Sequence, residues 1–349
     1  MTKLQKINHK HLKLFISKIL KKAGLDKYSR KAVAMGLYEA SLRGVDSHGV
    51  NLLNHYVNSA IKGRKNPKPH YKFYKSFPAL RILDADNAFG HAAGMKAIDM
   101  CTKVADKYGV GIVAVKNSSH PGALASIALR AARKNYIVFA FTHADSLMLS
   151  HNGKKPYFGT NPICFAVPRK EKEPFCIDMA TSMISWNKLL KLRDQNKILD
   201  NNIAADSQGK TTKNPSKVRA LLGAGSYKGY ALASMVEILC GIYTGMNFGN
   251  NIPPMYNFPM NKPRKLGQFY MAIKPNGVLN LNTFLQRMQN LTFQVRRQKS
   301  KTKNNPVMLP NDPEILSTKN RRQNGIPLDK ETLKQLLHLS KKFNINLEF

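Results

Sequence analysis

The chain has 349 residues, 43% of them hydrophobic, so it is long enough to bury one large or two intermediate cores and too apolar for a disordered protein. Four cysteines, Cys101, Cys164, Cys176 and Cys240, stand far apart with no Cys-x-x-Cys pair, which argues against a zinc site or a disulfide framework and fits a reducing cytoplasm. The net charge of +36 suggests a polyanionic partner, yet the lysines are dispersed, with one modest cluster at Arg296-Arg297-Gln298-Lys299-Ser300-Lys301-Thr302-Lys303. No zinc-finger, homeodomain or RNA-recognition signature accompanies them, so no specific nucleic-acid partner is expected, and the charge is read as solvent-facing and able to steer small carboxylates.

The stretch from Met1 to Lys10 is basic, but no apolar signal segment follows it. Leu12, Phe15, Ile16, Ile19 and Leu20 instead share one stripe of a helix over 11–23. Asp26 is placed to cap a second helix running to residue 42, with Ala32, Val33, Met35, Leu37 and Ala40 as its apolar residues. Arg43-Gly44-Val45-Asp46-Ser47-His48-Gly49 then feeds a third helix, capped by Ser47, with Val50, Leu53, Tyr56, Val57 and Ile61 inward. This puts His48 in a first helical turn, where the helix N-terminus lowers an imidazole's pKa and offers N–H groups to an anion. The Lys/Pro/Asn-rich run 62–70 reads as the exit from a helical subdomain.

A strand over 79–84 leads to a helix over 90–108 and a strand over 110–115, which ends in Asn117-Ser118-Ser119-His120-Pro121-Gly122 before a helix over 123–134. A strand over 137–142 ends in His143-Ala144-Asp145, Gly159-Thr160-Asn161-Pro162 enters a strand over 163–167, and a strand over 175–177 ends in Asp178-Met179-Ala180-Thr181-Ser182. These runs are short, β-branched or aromatic, and bounded by Gly, Pro, Asn or Asp, as buried strands are. Polar clusters at the ends of neighbouring strands converge on one sheet edge, where a rigid scaffold can hold a site. His120, between strand and helix, is the residue type best suited to move a hydroxyl proton near neutral pH. Asp145 reads either as a turn cap or as a carboxylate that orients an imidazole. Gly159-Thr160-Asn161 reads either as a tight turn or as a loop presenting backbone N–H groups and the Asn161 amide to a ligand.

Gly223-Ala224-Gly225-Ser226-Tyr227-Lys228-Gly229 has neither Rossmann spacing nor the Gly-Lys-Ser/Thr of a phosphate loop. The apolar helix over 230–246 contains Glu237 and two glycines and is of marginal length, so a buried helix is expected rather than a membrane span. A strand over 266–273, a helix over 281–296, a basic loop over 298–305 and an amphipathic helix over 329–343 complete the chain.

The Arg43–Gly49 segment, the three strand-end motifs that contain His120, Asn161 and Asp178, and Lys228-Gly229-Tyr230 occur in the order found in the malate/L-lactate dehydrogenase family, which this chain resembles over nearly its whole length. The resemblance implies an α+β fold with a mixed-sheet, non-Rossmann NAD(P)-binding domain over 77–314, and a helical domain over 1–76 completed by 315–349. It implies hydride transfer between NAD or NADP, NAD favoured, and a small 2-oxo or 2-hydroxy acid, without a metal, in a cytoplasmic homodimer whose site lies near the subunit interface. By motif position, His120 is the proton-transfer residue, His48 lies beside cofactor and substrate, and Asp145 supports the histidine or the substrate. Asp178, Met179 and Ala180 line the dinucleotide with Gly159, Thr160 and Asn161, and Lys228 meets its phosphate or ribose. Pro310, Asn311 and Asp312 resemble the family's Pro-Gly-Glu cofactor loop, with Asn311 in a turn that tolerates left-handed backbone. Three departures stand out: Leu52 where some relatives have a carboxylate-binding arginine, Pro121 where an aromatic residue is common, and Ile203 where a tryptophan is usual. They and the altered loop motivate a second reading, a drifted inactive relative kept as a scaffold or basic binding protein, against which the joint retention of His48, His120, Asp145, Asp178 and Lys228 speaks.

Overall fold

A computed structural model describes residues 4–171, 173–302 and 304–349; the first three residues of the basic N-terminal stretch and Lys303 of the basic cluster lie outside the described residues. The main sheet has seven strands in the order Lys72–Phe77, Leu80–Asp84, Val110–Ser118, Leu266–Ile273, Ile137–Thr142, Ile163–Val167 and Phe175–Met179. Leu80–Asp84 and Val110–Ser118 run parallel, which requires a crossover, and helix Gly90–Tyr108 supplies it. The other neighbours are antiparallel. This is the expected mixed α+β sheet.

Alternation along the strands buries both faces of the sheet. Val138, Ala140, Tyr270 and Ala272 face one core, shared with helices Gly90–Tyr108 and Ala125–Ala132. Phe139, Phe141, Phe269 and Met271 face another, closed by Val236 and Cys240. The first core continues into helices His9–Lys22, Lys27–Leu42, Leu53–Ile61 and Lys330–Phe343. Strands Gln5–Ile7 and Ile326–Leu328 pair, so the end of the chain returns to its beginning. Strand Lys72–Phe77, unassigned from the sequence, begins before residue 77 yet belongs to the main sheet. A smaller sheet joins Ala204–Ala205, Ala220–Leu221, Met148–Leu149 and Pro156–Phe158.

Asp26 caps the second helix as expected, its carboxylate accepting from the Ser29 N–H at 2.6 Å. The third helix differs from expectation. It starts at Leu53, after short 3₁₀ turns at Asp46–His48 and Val50–Leu52, and Ser47 caps nothing. Gly49 breaks the path with extended backbone, and it lies so close to the second helix that an added Cβ would sit 2.5 Å from Ser41 Oγ. The apolar helix begins at Tyr227 and passes at Ile238–Ile242 into a π-helical turn. Among the described residues, no helix is long and apolar enough to cross a membrane.

Candidate active site

The register of the main sheet explains why distant motifs meet. Val110–Ser118 and Ile137–Thr142 both run antiparallel to Leu266–Ile273, with Ser118 opposite Leu266 and Thr142 opposite Gln268. Their C-terminal ends and the start of the middle strand therefore share one edge. His120 follows the first strand, Asp145 follows the second, and Arg264 precedes the third. Ile163–Val167 begins at the same edge after Asn161-Pro162, and Phe175–Met179 ends there with Met179 opposite Ile163. The helical layer closes over this edge and brings His48, whose ring stacks on that of His120 at 5.5 Å between centroids.

A cleft of about 550 Å³ opens between the two layers, and His48, His120, Asp145, Thr160, Asp178 and Arg264 are among the polar residues that line it. Met179 and Ala180 contribute apolar wall. His120 Nδ1 lies 2.8 Å from the hydroxyl of Tyr56, and Nε2 makes no hydrogen bond to the described residues. Burial holds the pKa of His120 well below the usual histidine value, and the nearby His48, Lys65, His91 and Arg264 push the same way. The imidazole is therefore neutral at neutral pH. Burial raises the Tyr56 pKa, so its phenol stays protonated. In the neutral tautomer with Nδ1–H donated to Tyr56, Nε2 carries the free lone pair.

His48 Nδ1 lies 2.9 Å from Ser47 Oγ, and burial lowers its pKa to about 4. Burial replaces the helix N-terminus as the cause, because His48 sits in a 3₁₀ turn. Among the described residues, Asp145 is hydrogen-bonded to no imidazole. Its carboxylate accepts from Arg264 Nη2 at 2.5 Å and from the Met255 N–H at 3.3 Å, while Arg264 Nε donates to the Pro253 carbonyl at 2.6 Å. Tyr56 thus holds the position beside His120 that the sequence offered to Asp145, and Asp145 holds an arginine. Neither Arg264 nor the Tyr56 hydroxyl carries a local signal in the sequence. Tyr56 reads there as one more inward residue of a helical stripe, and Arg264 as one of many basic residues in a loop.

The Asn161 amide does not face the cleft. It is buried, its oxygen accepts from the Ala144 N–H at 3.1 Å, and its Nδ2 donates to Glu237 Oε2 at 2.7 Å and to the Ala233 carbonyl at 3.0 Å. A buried amide with these partners is a clamp that fixes the turn beside Asp145. Its neighbour Gly159 does not line the cleft either, whereas Thr160 does. The Asp178 carboxylate accepts from the Ala125 N–H at 2.8 Å, and burial pushes its pKa up to about 6.

Lys228 is exposed in the first turn of Tyr227–Glu237, outside the cleft wall. That turn packs against the Asp178–Ser182 segment. Ala224 N–H donates to the Thr181 carbonyl at 2.8 Å, and an added Cβ on Gly229 would lie 2.4 Å from that same oxygen. Asn311 adopts the left-handed backbone expected of it, with φ of 83°, and its side chain donates to the Pro174 carbonyl at 2.7 Å. Asp312 is ion-paired to Arg296 at 2.7 Å, and Pro310, Asn311 and Asp312 do not line the cleft. Glu314, in the helix that Asp312 opens, adds to the upward shift of Asp178, while Asn311 anchors the loop at the start of the Phe175–Met179 strand. Of the departures, Leu52 is buried in the main core, and Ile203 packs in a small apolar cluster against Trp186.

The family model for malate/L-lactate dehydrogenase matches residues 7–337. Ureidoglycolate dehydrogenase (NAD(+)) of Escherichia coli strain K12 is 33% identical over 283 residues, 81% of each chain. Malate dehydrogenase of Pyrococcus abyssi is 31% identical over 341 residues, 95% of this chain and 93% of that one. The crystal structure of malate dehydrogenase from Entamoeba histolytica superposes with a TM-score of 0.93 at 28% identity, covering 99% of this chain and 100% of that one. With one fold, one order of motifs and one family match spanning nearly the whole length, the chain belongs to the malate/L-lactate dehydrogenase family, dehydrogenases that act on hydroxy acids.

Proposed function

We propose that the protein moves a hydride between a nicotinamide dinucleotide, NAD in preference to NADP, and a small 2-hydroxy or 2-oxo acid. The observation that carries this reading is the meeting at one sheet edge of a neutral histidine braced by Tyr56 and an arginine braced by Asp145. The cleft is of a size typical for small-molecule sites. Thr160, Asp178, Met179 and Ala180 would hold the nicotinamide end, with the half-exposed Met179 giving an apolar surface to a flat ring. Lys228 at a helix start, and the Pro310–Asp312 loop, would meet the phosphates and ribose. When bound, the nicotinamide supplies the hydride donor or acceptor.

The protein's own residues do the rest. Arg264, held by Asp145, keeps donors that neither Asp145 nor Pro253 uses and would take the substrate carboxylate, the task that Leu52 cannot perform. His120 Nε2 would take the hydroxyl proton in oxidation, and its protonated form would return it in reduction. Tyr56 keeps the ring in the required tautomer, and His48 walls the other side of the imidazole.

A homodimer is supported by the exposed apolar stripe Leu232, Met235, Ile238, Ile242 and Tyr243 on the Tyr227 helix and its π-helical extension. The four cysteines, all free and buried, support a cytoplasmic location. In the basic cluster, Arg296 is paired with Glu171 and Asp312 and Arg297 stacks on Phe293, which supports a dispersed charge rather than a nucleic-acid surface. The reading is tested by incubating the protein with NADH and NADPH in parallel across a panel of 2-oxo acids that includes pyruvate and oxaloacetate. NADH oxidation above the enzyme-free blank with at least one acid is expected. No turnover with any of them, in either direction, would favour the inactive scaffold.

A further inference from the structure

We propose that a single small monovalent anion, of the halide class, binds in a small cavity behind His120, held by Lys65 with Arg64 and Arg264. The cavity is lined by His55, Arg64, Lys65, Ser119, His120 and Arg264 and has about 10 Å³ of free volume, roughly the space of one water-sized particle. His120 and Arg264 line both this cavity and the open cleft, so they form the wall between the two.

The charges around the cavity do not balance. Arg264 has Asp145 as its partner. Arg64, 2% exposed, donates only to the backbone carbonyls of Met255 and Phe258, and its Nε has no acceptor among the described residues. Lys65 is 2% exposed, and its Nζ also lacks an acceptor; it lies over the ring of Tyr56 at 4.1 Å and that of Phe89 at 5.0 Å. A buried ammonium with only aromatic faces around it is strongly disfavoured unless it loses its proton or gains a counter-ion.

The surrounding titratable groups record the same imbalance. Burial, then Arg264 and Arg64, drive the Lys65 pKa far down. His55, His91 and His120 are each lowered by burial, with Lys65 among the further causes. Tyr56 completes the groups packed on Lys65, and burial keeps it neutral. An anion beside Nζ would supply the missing acceptor, let Lys65 keep its proton and reduce the depression on His120. The large cleft, by contrast, is the place for an organic acid, because this cavity has no room for a carboxylate with its carbon chain.

The test needs no substrate and no activity, so it stands apart from the proposed reaction. Wild type and Lys65→Met are melted in sodium bromide, chloride, acetate and sulfate at equal ionic strength. The difference between the two proteins cancels the general salt effect on stability. The halides are expected to raise the wild-type Tm relative to the variant by roughly 2 °C, while acetate and sulfate do not. Lys65→Met nearly conserves volume and removes the buried cation, so the variant should fold at least as stably as wild type in halide-free buffer. Equal behaviour of the two proteins in all four salts, or a rise with acetate instead, overturns the proposal. Wild-type crystals grown in bromide give an independent reading. An anomalous peak beside Lys65 Nζ is expected, and a bound water without anomalous signal there overturns the proposal even if the variant fails to fold.

Discussion

Two arginine–carboxylate clusters in this molecule have similar chemistry and different prospects. At the cleft, Arg264 meets Asp145, with side-chain exposures of 4% and 13%. Beneath the 309–312 loop, Arg169 and Arg296 meet Glu171 and Asp312, with Asp312 10% exposed. Asp145 and Asp312 both look functional in the sequence. In the second cluster two cations face two carboxylates, and Asp312 also accepts from the Leu309 N–H at 3.0 Å, so the charges balance and close a loop, with only Arg169 Nη1 lacking an acceptor among the described residues of the cluster. In the first, one carboxylate holds one arginine whose remaining donors border a cleft that also contains His120. A matched network stands without a ligand, whereas a braced cation beside a cavity can accept one.

The largest effect should come from the histidine that gives the first cluster its chemistry. His120→Ala is expected to lower turnover by about 10² to 10⁴ while leaving dinucleotide affinity nearly unchanged. His48→Ala should raise KM as well; a silent His120→Ala beside a chemically dead His48→Ala would exchange their roles. Since the neutral imidazole is the base, alcohol oxidation should rise with pH through the His120 pKa and be level above the ordinary histidine range, and ketone reduction should fall over the same interval. Profiles flat in both directions, with chemistry limiting, would remove histidine from the proton transfer.

Arg264→Gln should sharpen the contrast further, raising KM for the acid by roughly 30-fold or more, as expected for loss of one buried charge pair to a ligand. The dinucleotide Kd should hardly move. An unchanged KM would mean that Arg264 is as structural as Arg296. The matched cluster should answer in the opposite sense. Asp312→Asn is expected to cost about 1–2 kcal/mol of stability, discounted because Arg296 is one-third exposed, with little change in KM for the acid. Thermal melting and steady-state kinetics on the same preparation separate these outcomes.

The smallest effect is a pH dependence at Asp178. Its folded-state pKa, about 6, lies above the ordinary aspartate value, so the folded form holds the proton more tightly. The associated stability is fully present below about pH 4 and is lost as pH rises through about 6. Asp178→Asn should flatten that part of a melting-versus-pH curve; an identical slope in the variant would assign it to another group.

The sequence by itself determined the elements whose signals are local. The bounds of the helices Gly90–Tyr108 and Leu281–Arg296 and of the strands Ile137–Thr142, Ile163–Val167 and Leu266–Ile273 follow from periodicity and from their Gly, Pro, Asn and Asp borders. So does the left-handed turn at Asn311, because that conformation depends on the residue and its immediate neighbours. Residues of the strand-end motifs also meet in one cleft, since strands that neighbour one another carry their ends to a common edge.

What the tertiary structure decided was which side chains meet. Tyr56 reaches His120 across 64 positions, Arg264 reaches Asp145 across 119, and Asn161 turns inward to Glu237 across 76. No local pattern distinguishes a buried lysine such as Lys65 from its exposed neighbours in a lysine-rich run, nor the Asp145 that grips an arginine from one that would orient a histidine. Periodicity records which face of an element is buried, because burial of apolar area is additive and local. A hydrogen bond or ion pair depends on the separation of two groups to within a few tenths of an ångström, and only the register of the sheet and the seating of the helices upon it set that separation.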